Sequence, residues 1–319
     1  MVSQTHDDAC TLLYTSGTTG RPKGAIISHG MVFWNAINLG IPMEVSANTV
    51  FLTVLPLFHT AGLNCTANPT LHAGGRVLIM RAFDPVESLS LLGDPGVGIT
   101  HFFAVPAIYL FMAQQPTFAD TDLSRLQSAG VGGAPISTAL IEAWTTRGVK
   151  LQQGYGMTET SPAVMLLRAQ DCERKIGSAG KPVLHNEIRI THDNGEDVAP
   201  GEVGELWVRG PNITPGYWNR PQATAESITD GWLHTGDAAR VDEDGFYYIV
   251  DRWKDMYISG GENVYPAEVE EVLYQMSQIG EVAVIGVPDE KWGEVGRAVV
   301  VLKAGETLSE AQIIAYCEG

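Results

Sequence analysis

Short apolar runs alternate with stretches of helical period between residues 9 and 153, and this pattern restricts the fold more than any other feature. Strand-like runs cover 9–15, 24–28, 49–55, 76–80, 100–105 and 149–153, with helix-like stretches at 30–39, 84–92 and 137–147. Strands separated by helices are best joined as crossovers, so the spacing predicts an α/β layer with a largely parallel sheet. The texture changes from 187 to 250, where runs at 187–191, 204–209 and 246–250 are broken by Gly, Pro and Asp-rich turns. That stretch predicts a smaller, mostly antiparallel β region. Beyond Asp251 a helix is expected over 266–276, with Pro266 in its first turn. Strands follow at 281–287 and 298–303, then a helix over 309–316 opened by Ser309. The expected organisation is a layered parallel sheet plus small β region over 1–250, a boundary at 251–254, and an α+β domain over 255–319.

Length and charge exclude several functions. A chain of 319 residues fits two domains, or one large and one small. Lys and Arg number 20 against 37 Asp and Glu, a formal net charge of -17. Such a surface suits neither sequence-independent nucleic-acid binding nor polybasic attraction to anionic lipid. No apolar run approaches the ~18–20 residues of a membrane span. Residues 1–10 show neither a basic start nor an apolar core, so no signal peptide and a cytoplasmic location are expected. Cys10, Cys65, Cys172 and Cys317 form no CxxC pair and read as isolated thiols. No HExxH occurs, and the glycosylation-like triplets at Asn64 and Asn212 read as chance matches.

The densest chemical signal is Tyr14-Thr15-Ser16-Gly17-Thr18-Thr19-Gly20-Arg21-Pro22-Lys23-Gly24. Glycines let backbone N–H groups turn toward a phosphate, hydroxyls donate to its oxygens, and a lysine supplies charge. It is not a Walker A loop, because G-x-x-x-x-G-K-[ST] is unmet. Downstream stand Gly132-Gly133-Ala134-Pro135, then Gln153-Gly154-Tyr155-Gly156-Met157-Thr158-Glu159, then Trp232-Leu233-His234-Thr235-Gly236-Asp237, then Asp251-Arg252-Trp253-Lys254-Asp255.

These segments, in this order, resemble the signatures of the acyl-adenylate-forming enzymes. That superfamily holds the AMP-forming acyl-CoA synthetases, firefly luciferase and the adenylation domains of peptide synthetases. The resemblance implies that Thr15, Ser16, Gly17, Thr18, Thr19 and Gly20 cradle ATP phosphates and that Lys23 acts on them. It implies a nucleotide-binding segment of Gly154, Tyr155, Gly156, Met157 and Thr158. Tyr155 would stack on adenine, Thr158 would contact the α-phosphate, and Glu159 would hold Mg²⁺, a cation suited to carboxylate oxygen. Gly133, Ala134 and Pro135 would border adenine and the acyl pocket. Asp237 would accept from the ribose hydroxyls, Arg252 would contact ribose or phosphate, and Lys254 would fall at the hinge. His59, after Phe58, matches an aromatic-histidine segment near the acyl site. Residues 259–266 resemble a loop that enters the site for the thioester step. Ala61, Gly62, Gly133 and Ala163 are expected at the acyl pocket. His29, His101, the tryptophans and the Met157 side chain read as packing groups rather than ligands.

The implied activity is an ATP-dependent acyl-CoA ligase of the fatty-acyl or aryl type, with ATP, Mg²⁺ and CoA as co-substrate. A non-catalytic nucleotide- or acyl-binding remnant is the alternative. An amino-acid adenylation domain is a weaker one, because His59 stands where those domains usually carry an aspartate. Family members also carry a large segment before the phosphate loop, and a C-terminal lysine in a Pro-x-x-x-x-Gly-Lys-like segment. The chain is therefore expected to be a slice truncated at both ends, with exposed sheet edges and low stability alone.

Overall fold

The computed structural model describes residues 3–15 and 22–317. Two strands, β1 (Ala9–Thr15) and β2 (Lys23–Ser28), pair antiparallel, with Thr15 opposite Lys23. They form their own sheet rather than joining the parallel layer, because a short connection closes a hairpin while a parallel neighbour needs a crossover. Ser28 then caps α1 (His29–Gly40), its hydroxyl accepting from Met31 N at 3.2 Å.

The main sheet holds β3 (Val50–Thr53), β4 (Arg76–Ile79), β5 (His101–Ala104), β6 (Ser128–Gly132), β7 (Leu151–Gly156), β8 (Ala163–Leu166) and β9 (Lys181–Pro182). Their order is β4–β3–β5–β6–β7–β8–β9. The first five in that order are parallel; β8 pairs antiparallel with β7, and β9 antiparallel with β8. A π-helical turn (Ala61–Ala67), α2 (Asn68–His72), α3 (Pro85–Gly93), α4 (Pro106–Ala113) and α5 (Thr138–Thr145) connect the parallel strands. Every residue of β5 and β6 is buried, as strands covered on both faces require. Asp84 caps α3 at Glu87 N, and Ser137 caps α5 at Leu140 N. The core is tightly specified around Trp144, whose ring meets Tyr109 edge-on at 4.9 Å while its indole N–H donates to the Tyr109 carbonyl. His101 is a packing residue, its two nitrogens beside Thr100 Oγ1 and the Met43 carbonyl, and burial pulls its pKa below the usual value.

The next strands are β10 (Glu187–Thr191), β11 (Gly204–Arg209), β12 (Ile228–Thr229), β13 (Trp232–Val241) and β14 (Tyr247–Arg252). They form a five-stranded sheet ordered β10–β11–β13–β12, with β14 on β13; α6 (Pro221–Ser227) precedes β12. The last sheet is β16–β15–β18–β17, built from β15 (Tyr257–Ser259), β16 (Glu262–Val264), β17 (Ile279–Asp289) and β18 (Gly293–Leu302). Gly260 and Gly261, both at positive φ, make the two-residue turn between β15 and β16. Helices α7 (Pro266–Tyr274) and α8 (Glu310–Cys317) complete the chain.

The chain divides into two compact units. One comprises Met1–Arg189, Trp207–His234 and Asp242–Tyr248. It contains a charge cluster in which Lys175 pairs with Asp242 at 2.7 Å and Asp244 at 2.6 Å, beside the Phe246 ring. The other comprises Ile190–Leu206, Thr235–Val241 and Ile249–Gly319. Its core gathers Tyr257, Leu273, Ile279, Val282 and Val284, while Ile285, Val299 and Val301 stay exposed. Among the described residues no helix is long and apolar enough to cross a membrane. Asn64 and Asn212, the two glycosylation-like asparagines, are wholly buried.

Candidate active site

Strands β3, β6 and β7 run the same way, so their carboxyl ends open onto one edge of the main sheet. That edge is where open parallel sheets bind ligands. Residues 54–59 leave β3 there, Gly133, Ala134 and Pro135 leave β6, and Met157, Thr158 and Glu159 leave β7. Segments far apart in sequence are thus gathered by topology alone. Gly133 takes φ +80, and it, Ala134 and Pro135 are exposed. Gly156 is required by close approach, since a Cβ there would overlap the Pro162 carbonyl. Gly154 and Tyr155 lie in β7, where Tyr155 is half-buried opposite Met165.

His59 is exposed, and its Nδ1 accepts from Ala61 N at 3.1 Å, at the start of the π-helical turn. Among the small residues expected at an acyl pocket, Gly62 has a packing reason of its own: a Cβ would overlap the Pro56 carbonyl. Ala61 is half-buried and Ala163 is buried in the core.

The turn Thr158–Thr160 packs against β1 and β2. This brings Glu159 to the hairpin that presents Thr15 and Lys23. The connecting residues Ser16, Gly17, Thr18, Thr19 and Gly20 lie outside the described residues. Thr15 is half-buried, its hydroxyl 3.5 Å from the Lys23 carbonyl. Glu159 is buried at 4 % exposure. The Tyr217 hydroxyl donates to its Oε1 at 2.8 Å, and Lys23 Nζ sits 4.3 Å from the centre of the Tyr217 ring. Burial and the neighbouring Glu159 charge push the Tyr217 phenol up, so it stays a donor.

Tyr217 reaches this place because its segment joins β2. Ala25 bridges Tyr217, Ile26 N donates to Gly216 O, and Trp218 N donates to Gly24 O. Thr214 N donates to the Glu159 carbonyl at 2.8 Å. Asn212 Nδ2 donates to the Thr160 and Ala163 carbonyls at 2.5 and 2.8 Å. No sequence motif assigns Asn212, Thr214 or Tyr217 a site role. The signal present was a run of hydrogen-bonding residues, Asn212-Ile213-Thr214, ending in Gly216-Tyr217, which no local rule ties to Glu159.

A carboxylate held this way fits Mg²⁺, which commonly takes one or two carboxylates together with substrate phosphates. In the second unit, Asp237 is buried and Arg252 Nη1 meets its Oδ1 at 2.9 Å. The two residues expected at ribose therefore face each other. A cavity of about 300 Å³ lies instead at the amino ends of β6 and β7, lined in part by Met43, Glu44, Ser128, Gln152 and Arg168. It contains none of the expected site residues.

The family model described as AMP-binding enzyme matches residues 1–218, and that of the AMP-binding enzyme C-terminal domain matches 268–319. The chain belongs to the AMP-binding enzyme family. It is 47% identical over 310 residues to a feruloyl-CoA synthase of Amycolatopsis, covering 97% of this chain and 63% of that protein. It is 44% identical over 308 residues to an indoleacetate–CoA ligase of Aromatoleum aromaticum, covering 97% and 60%. An o-succinylbenzoate-CoA synthetase of Bacillus subtilis, solved in complex with ATP and magnesium ion, superposes with a TM-score of 0.89 at 34% identity, covering 99% of this chain and 64% of that one. The chain thus spans somewhat under two thirds of the length of these AMP-binding relatives, and the likeness extends over nearly all of it.

Proposed function

We propose that the protein is an ATP-dependent, AMP-forming ligase that joins an aromatic carboxylic acid to CoA. The observation that carries this is the set of Glu159, Tyr217 and Lys23, side by side where the β1–β2 hairpin meets the exit of β7. A buried carboxylate and an ammonium at the end of a glycine- and hydroxyl-rich hairpin suit a metal-bound polyphosphate. The feruloyl-CoA synthase and indoleacetate–CoA ligase relatives support an aryl acid over a fatty one. The magnesium and ATP of the Bacillus subtilis complex support the nucleotide.

A carboxylate and a thiol do not condense, because the oxygen that must leave is a poor leaving group. In the proposed reaction a carboxylate oxygen bonds to the α-phosphorus as its bond to the bridging oxygen breaks, releasing pyrophosphate. The thiol sulfur then bonds to the acyl carbon, the bond to AMP breaks, and the thiol proton passes to solvent. The first step joins two anions, so alignment and charge neutralisation dominate catalysis. Bound Mg²⁺ would supply part of that neutralisation, with Glu159 to hold it. Lys23 brings positive charge to the phosphates, and the Thr158 hydroxyl donates to the α-phosphate. Tyr155 and Gly133–Pro135 flank adenine, Asp237 accepts from the ribose hydroxyls, and Arg252 meets ribose or phosphate. His59 borders the acid. Motion about 251–254, bringing in residues 259–266 for the thiol step, and a cytoplasmic location belong to the same proposal.

The purified chain incubated with ATP, MgCl₂, CoA and a panel of hydroxycinnamic, indolic, benzoic and fatty acids tests it. AMP, pyrophosphate and an aryl-CoA should form in equal amounts. Failure to release pyrophosphate with any acid of the panel would refute the ligase reading, and turnover of fatty acids alone would refute the aryl class.

A further inference from the structure

We propose that Tyr217 is a positioning residue for the metal-facing carboxylate of Glu159 and for the Lys23 ammonium. The inference rests on the proposed function and goes beyond it, because it assigns Tyr217 a role through Glu159 and Lys23.

Tyr217 is 7 % exposed, so ring and hydroxyl are held by the protein. Its backbone N–H donates to Thr224 Oγ1 at 3.0 Å, and its neighbours on both sides hydrogen-bond to β2. The phenol therefore has little freedom. By donating to Oε1 of Glu159 it fixes rotation of the carboxyl group and would leave the other oxygen to hold a metal. The face of the same ring holds the Lys23 ammonium at 4.3 Å. An ammonium resting on a π-face keeps its charge and the donors turned away from the ring for phosphate, whereas a direct pair with Glu159 would neutralise both groups before ATP arrives. One side chain thus keeps the anion and cation of the site close but separate.

Calorimetric titration of the full chain and its variants with ATP, in Mg²⁺ and in EDTA, separates this role from a structural one. The readout is the ratio of the two affinities, so a smaller folded fraction cancels. Tyr217→Phe keeps the ring and removes the donor. It should lower the Mg²⁺ enhancement of ATP binding by about tenfold, the scale of one hydrogen bond to a charged group, while leaving metal-free ATP binding unchanged. Tyr217→Leu should also weaken metal-free binding, because Lys23 loses its ring. Glu159→Gln should lower the enhancement, and adding Tyr217→Phe to it should change little further, since both remove the same interaction. An unchanged enhancement in Tyr217→Phe, with Glu159→Gln impaired, would overturn the positioning role alone. Additive losses in the double variant would overturn it too. An unchanged enhancement in Glu159→Gln would overturn the metal assignment beneath it.

Discussion

Asparagine 212 is the residue whose removal should couple stability to the site most clearly. Its side chain is wholly buried. Nδ2 donates to the Thr160 and Ala163 carbonyls, and Oδ1 accepts from Asn38 Nδ2 at 3.4 Å. Asn212→Ala removes all three bonds. The Ala163 carbonyl keeps a donor, Asn186 Nδ2 at 2.9 Å, so its loss is small. The Thr160 carbonyl loses a short bond, and the Asn38 amide loses a long, weak acceptor. A buried polar group left without its partner costs about 1–3 kcal/mol, and a small void adds to this. The expected destabilisation is about 2–4 kcal/mol. Asn212→Asp should be worse, because a buried carboxylate would face two carbonyl oxygens with no proton to offer. Urea unfolding followed by tryptophan fluorescence measures both, with the slope held fixed between variants. The Thr160 carbonyl belongs to the Glu159 turn, so Mg·ATP affinity should fall alongside stability. A loss below about 0.5 kcal/mol in Asn212→Ala, the range of an ordinary surface change, would refute the reasoning.

Burial pushes the Cys65 and Cys172 thiols up to about 12, while Cys10 and Cys317 are exposed. In the native protein a disulfide reagent should therefore modify two thiols quickly and the other two only on denaturation; four fast thiols would contradict this. The cluster around Lys175 should give stability a defined pH window. Hydrogen bonds from Lys175 hold Asp244 below the usual carboxylate range. Burial pushes Asp242 up, but Lys175, the Phe246 N–H and the Tyr248 hydroxyl outweigh it and hold that carboxyl down. Depressed carboxylates stabilise the fold above their ordinary range of about 4 and lose that contribution as the pH falls through their native values. Asp242 and Asp244 raise Lys175, whose contribution is full below the ordinary lysine value of about 10.4 and is lost as the pH rises through its raised native value. Lys175→Met should flatten the fall in unfolding midpoint below about pH 4, and an unchanged acid limb would argue against the cluster.

The fold was legible wherever one local rule governs an element. Alternating runs gave the parallel strands, and Ser28, Asp84 and Ser137 stand at helix starts where their side chains accept from the first turn. The site edge of the sheet follows once those strands are parallel, because parallel strands share a carboxyl end. What stayed hidden depends on long-range pairing. The separate β1–β2 sheet is decided by hairpin closure, which an apolar run does not reveal. The reversal at β8 follows from the tight turn after Glu159. Within the π-helical turn, Gly62 lies so close to the Pro56 carbonyl that a Cβ would overlap it, a contact no local pattern reveals. Tyr217 reaches Glu159 across 58 positions through pairing of its own segment with β2, and that pairing has no periodic signature.

The central claim is that the nucleotide binds at the carboxyl ends of β6 and β7. Photolabelling with 8-azido-ATP in Mg²⁺, followed by peptide mapping, tests it most directly. Label should appear on the peptides carrying Gly133–Pro135 or Tyr155, and excess ATP should compete it away. Competed label at the opposite end of the same strands, on the Glu44 or Arg168 peptides that line the cavity there, would contradict the claim.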